Sequence, residues 1–191
     1  MKRVLLLSGL LLLSGCDMTK PEAKQLTIET PDGTIEATQT QVDAIPQAIA
    51  PVTGSDLDSL TTNAPDSTEF IGSYTSFDDT PSLKDCDAAF TAWKSDSSGK
   101  FSDANVVRAV GCFLGNRCIA DFDMEWVTVS DEYGTDYAVR SLHSEVMIFP
   151  FSSVQKRVDD GEHDFVHGIY YSLKNLLASG DYKPRQSPGG G

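Results

Sequence analysis

Long apolar runs, basic residues and catalytic signatures are all scarce in this chain of 191 residues. The Leu-rich run Val4–Leu13 would reach about 15 Å as a helix, half of a ~30 Å hydrocarbon core. It can engage an export channel but cannot be a permanent span. Lys and Arg number 15 against 28 Asp and Glu, for a formal charge of −13. Nucleic-acid binding depends on Lys and Arg neutralising phosphates, so that class is excluded, and a polyanion is equally unsuited to lying flat on anionic lipid. No GxSxG, P-loop, GxGxxG or CxxC occurs, and no internal repeat is visible. A triad assembled from distant positions would leave no such motif. Aromatics are missing from the first third. All nine Phe, all six Tyr and both Trp lie between Phe70 and Tyr182. Aromatics supply much of a small core's buried area, which places the globular domain at 68–182.

What is present is concentrated at the N-terminus. Lys2-Arg3 precede Val4–Leu13, and Ser14-Gly15-Cys16 follow. A charged segment, a short apolar segment and a small-residue cleavage site make a secretory signal. The ending Leu13-Ser14-Gly15-Cys16 resembles the lipobox of bacterial lipoproteins. That resemblance implies cleavage after residue 15, acylation of Cys16 and a mature chain starting there with three acyl chains. Two or more chains, at ~0.8 kcal/mol per buried methylene, anchor a protein stably. Asp17 resembles the signal that retains enteric lipoproteins in the inner membrane facing the periplasm, and the outer membrane is the alternative. Removing Lys2 and Arg3 would deepen the negative charge further, so contact with the bilayer is expected through acylated Cys16 alone.

Residues 16–67 read as a lipidated tether. Gln25–Thr30 and Thr34–Thr38 alternate β-branched and polar residues around Pro31-Asp32-Gly33, the pattern of a short hairpin. Residues 39–67, with Pro46, Pro51 and Pro65 among Thr, Ser and Asp, read as a flexible spacer. A short strand is expected at Glu69–Tyr74. Ser82 can cap a helix striped by Leu83, Cys86, Phe90 and Trp93, and Ser102 a second striped by Val106, Val110, Phe113 and Leu114. Gly115-Asn116 would end that second helix, which completes a helical hairpin around the turn 95–100. Phe122, Met124 and Trp126 alternate with acids, as in a half-buried strand. An acidic loop, 131–136, is followed by a strand near Glu145–Phe149 ended by Pro150. A last helix is expected from Glu162 to Ala178, with Gly180 as its stop, and 183–191 as a disordered tail.

Three cysteines besides Cys16 would be exported to a compartment where bridges persist. Placed at similar heights on antiparallel helices, Cys86 and Cys112 are the preferred disulfide, with Cys86–Cys118 the alternative. His163-Asp164-Phe165-Val166-His167 puts two histidines at i and i+4, the spacing with which two imidazoles grip Zn²⁺ from one helix face. The string resembles the HExxH of zinc proteases, with Asp in the Glu position. No downstream residue is a convincing third ligand, His143 lies upstream, and a solvated helix face is the preferred reading of His163 and His167. Asp121, Asp123 and Glu125 with Asp131, Glu132 and Asp136 read in the same way rather than as a Ca²⁺ site. Asp96–Ser102 has an EF-hand flavour, but Lys94 falls at the first ligand position and Asn105 at the twelfth, so it reads as a turn.

The expected fold is α+β, a helical hairpin and a C-terminal helix packed on a small, mostly antiparallel sheet. The expected function is non-enzymatic and needs no cofactor: an envelope lipoprotein presenting this acidic domain to a protein partner, as an accessory, assembly or exclusion factor. A metal-dependent hydrolase using His163 and His167 is the alternative.

Overall fold

Two serines place two of the helices. In the computed structural model, which describes residues 4–5, 23–40, 47–62, 64–161 and 163–185, α3 (Leu83–Lys94) starts at Ser82 and α4 (Asp103–Phe122) at Ser102. Ser82 Oγ accepts the Asp85 N–H at 3.2 Å while Asp85 accepts the Ser82 N–H at 2.8 Å. Ser102 and Asn105 repeat the exchange at 3.3 and 3.4 Å. Each box satisfies two backbone donors that a helix start would otherwise leave open.

The remaining elements are β1 (Val4–Leu5), β2 (Ala23–Thr30), β3 (Gly33–Thr40), β4 (Ala48–Pro51), α1 (Gly54–Thr61), α2 (Ala64–Gly72), β5 (Met124–Asp131), β6 (Gly134–Ser141), β7 (Met147–Ile148), α5 (Pro150–Asp160) and α6 (Val166–Ser179). The fold is α+β. Antiparallel β4-β5-β6-β7 forms the main sheet, and the β2–β3 hairpin, with β1 parallel to β3, forms a second. One face of the main sheet carries Met124, Trp126 and Val139 into the large helical core. On the other face Val127, Val129 and Ala138 form a small cluster with Ile49, Met147 and Phe149.

The structure corrects several sequence expectations. Residues 69–74 form no strand. Phe70 and Ile71 are consecutive and both fully buried, which a helix facing one core satisfies and an alternating strand does not, and they end α2. Ser67 on the same face donates to Ala109 O at 2.7 Å. Residues 48–62, expected as spacer, hold β4 and α1, and Val52 between them and Leu60 of α1 enter the core. The α4 helix runs through Gly115-Asn116 to Phe122 and stops at Asp123 in a left-handed conformation (φ 50°). At Gly115 a Cβ would lie 2.2 Å from Trp126 Cζ2, so the glycine seats an indole rather than ending a helix. Asn116 Oδ1 accepts the Trp126 Nε1–H at 3.0 Å, and its Nδ2 donates to Leu60 O at 2.8 Å. Pro150, expected only to stop a strand, opens α5, which buries Val154, Arg157 and Val158. Of the expected disordered tail, residues 183–185 are backbone-bonded to 143–145.

Candidate functional site

The most concentrated polar chemistry lies where α3, α6 and the β2–β3 turn meet. The N-cap position of α6 is Phe165, whose side chain caps nothing. Asp87 on α3, 4 % exposed, supplies the cap instead. Its two oxygens accept the backbone N–H groups of Val166 at 2.8 Å and His167 at 2.9 Å, where the helix dipole also favours negative charge. Burial pushes the Asp87 carboxyl up to about 6; the backbone N–H groups of His167, Val166 and Phe165 oppose that, and nearby Asp164 adds to it.

The His167 side chain turns outward to the hairpin. Its Nε2 lies 3.6 Å from Asp32 Oδ2, and its ring packs on Tyr171 with centroids 4.6 Å apart. Asp32 sits at the β2–β3 turn and accepts Lys84 Nζ at 2.6 Å. That hydrogen bond, foremost, holds its carboxyl below the usual range. Burial lowers the His167 pKa against the pull of Asp32; Lys84 adds to the lowering, and Asp164 opposes it. Asn175 Nδ2 donates to Glu29 O at 3.0 Å, so the hairpin is tied to α3 and α6 at three points. A carboxylate-oriented imidazole can move protons. Among the described residues, however, no hydroxyl or thiol hydrogen-bonds to His167, and the cluster acts as a clasp for the hairpin.

Residues 90–170, from α3 into α6, match a protein family described as a domain of unknown function, DUF3806. No curated protein and no solved structure matches the chain. The DUF3806 match takes in α4, the β5–β7 strands, α5 and the Trp126 seat, and stops short of the hairpin and Asp87.

The residues singled out from sequence are not brought together. Cys16 lies outside the described residues. His163 is exposed and precedes α6, separated from it by Asp164 at φ 56°. The i, i+4 geometry needs helix across all five residues, and helix starts only at Val166, so His163 and His167 share no face. His143 lies 3.9 Å from Asp123, both exposed. The acids are dispersed: Asp121 receives Arg117 and Tyr170, Glu125 receives Arg185, and Asp136 receives Ser152. Among the described residues no group of three His, Cys, Asp or Glu is arranged to hold a metal. The turn at Asp96 is closed by Ser98 and Tyr74, which both donate to its carboxylate.

Neither the Cys86–Cys112 bridge nor the Cys86–Cys118 alternative is formed. All three thiols are free and buried. The pairing assumed that α3 and α4 pack directly along their length, whereas α4 packs chiefly on α2 and α5, and α3 on α6. Burial raises every thiol pKa: Cys86 well above its usual value, Cys112 to about 11 and Cys118 to about 12.

Asp87 was not visible as a site residue, because an acid beside the Cys86 stripe reads as helix surface. Trp126 and Asn116 were visible only as a strand residue and a helix stop.

Proposed function

We propose that this chain is a bacterial envelope lipoprotein, acylated at Cys16, that presents its acidic α+β domain to a protein partner. The observation that carries the reading is the Leu13-Ser14-Gly15-Cys16 sequence behind Lys2-Arg3 and a short Leu-rich segment. Asp17 favours retention in the inner membrane facing the periplasm. Six residues separate Cys16 from β2 at Ala23, and an extended chain spans at most ~3.6 Å per residue. The open end of the hairpin therefore stands within roughly 25 Å of the anchor, and the domain is clasped to its opposite, turn end. Among the described residues no helix is long and apolar enough to cross a membrane.

Mass spectrometry of the mature protein tests the anchor. The expected N-terminus is a diacylglyceryl-modified Cys16, lost in Cys16→Ser together with fatty-acid labelling. An unmodified N-terminus at any other residue sinks the lipoprotein reading. Crosslinking in the native envelope followed by pull-down tests the partner.

A further inference from the structure

Beyond the αL C-cap at Gly180 (φ +68°) the chain runs as a short strap along the connection between β6 and β7. The Glu145 N–H donates to Lys183 O at 3.0 Å, and the Arg185 N–H donates to His143 O at 3.0 Å. Ser144 and Pro184 face each other between those two bonds in an antiparallel bridge. Pro184 thus occupies the position whose missing N–H the ladder does not need. Arg185 Nη1 donates to Glu125 Oε1 at 2.7 Å, with the two side chains 27 % and 29 % exposed. Arg140 stands directly across from Glu125 in the β5–β6 register, so both project from the same face. Its Nε is buried with no hydrogen-bond partner among the described residues. A cation therefore remains beside Glu125 when Arg185 leaves. Leu142 and Tyr182, 44 % and 37 % exposed, flank the strap.

We propose that the backbone edge of the β6–β7 connection at 143–145 is a docking site for an extended segment of a protein partner that carries a basic residue, and that residues 183–185 occupy it in cis until displaced. The strap is the template for its replacement, with two backbone bonds to residues 143 and 145 and a cation on Glu125. Main-chain pairing along an extended backbone gives affinity, and the side-chain contact gives selectivity. Asp123, Glu125 and Glu145 surround this edge, and acids outnumber bases 28 to 15, so a basic segment is the complement. Among the described residues a displacing segment has two backbone bonds and one ion pair to replace. The proposal rests on the partner-presenting reading and specifies the chemistry of that partner.

The test uses the full chain with Arg185→Glu and, as probe, a labelled synthetic peptide of residues 179–185. The expected result is faster hydrogen exchange at the Glu145 amide in R185E, slowed again by the peptide. Peptide binding by wild type should be about tenfold weaker, because the tethered strap competes at high effective concentration. Adding Glu125→Gln to R185E keeps the edge open but removes the carboxylate that the peptide's cation reads, so Glu145 exchange should stay fast while peptide binding is lost, and undiminished binding overturns the proposal. Unchanged Glu145 exchange in R185E overturns the proposal, since Arg185 then does not hold the strap. Fast exchange without peptide binding overturns it too, as does equal binding of a peptide carrying Glu in place of Arg185. A partner captured from the envelope through another face would sink the edge proposal and leave the presenting function standing.

Discussion

The Asp87 carboxylate on α3 accepts the backbone N–H of Val166, the first residue of α6, at 2.8 Å. One helix is thus capped by a side chain from another, 79 residues away in sequence. The same carboxylate accepts the next N–H, that of His167, and so fixes the end of α6 that carries the hairpin clasp.

Removing this cap should be costly. Asp87→Ala leaves two donors at a buried helix start without an acceptor, and orphaned buried groups cost about 1–3 kcal/mol each. A loss of roughly 2–4 kcal/mol in urea unfolding is expected, with Asp87→Asn milder because it keeps one acceptor oxygen. An unchanged urea midpoint in the Ala variant would show that α6 needs no cap from α3.

The same residue sets a pH dependence. Its carboxyl titrates at about 6 when folded and near 3.9 in an unfolded chain. A raised acid pKa means that the folded state binds the proton more tightly. Its contribution to stability is therefore fully present below about pH 4 and is lost as pH rises through about 6. Relative to Asp87→Asn, wild type should lose on the order of 2 kcal/mol across that window. Unfolding free energies of both proteins between pH 4 and 7.5 check this, and a difference that stays flat with pH would refute it.

Gly115→Ala should destabilise through collision. Its Cβ would meet Trp126 Cζ2 at 2.2 Å and Cη2 at 2.3 Å. The indole cannot move freely, being bonded to Asn116 at 3.0 Å and stacked on Phe151 at 5.8 Å. Overpacking of this kind costs about 1–3 kcal/mol. The lowered melting temperature should come with a changed Trp fluorescence maximum. A variant as stable as wild type, with unchanged emission, would mean that the seat is soft.

The thiols should be inert until the protein unfolds. Cys86, Cys112 and Cys118 are buried and their pKa values raised, and the reactive species is the thiolate. Alkylation at pH 8 should label none of the three in native protein and all three in denaturant without reductant. Labelling that requires reductant would instead reveal a bridge.

The capping boxes at Ser82 and Ser102 were legible because they span three residues and use side chains whose preference for that role is local. The β5–β6 hairpin was partly legible, since the alternation of Met124 and Trp126 and the turn at Gly134 are local too. The first two helices of the domain were not. Segment 48–72 is poor in aromatics, and Leu60, Phe70 and Ile71 become core residues only when α4 is there to receive them. His163 and His167 misled for the same reason, because periodicity cannot say on which side of Asp164 a helix begins.

The sequence by itself determined the starts of α3 and α4 and the α+β class, since caps and periodicities act over a few neighbouring residues. Only the tertiary structure decided that Gly115 holds an indole, that Asp87 caps a distant helix, that the thiols stay apart and that Arg185 pairs with Glu125. Each of those depends on which surfaces meet, and burial and hydrogen-bond satisfaction across the whole core select that arrangement rather than any local preference.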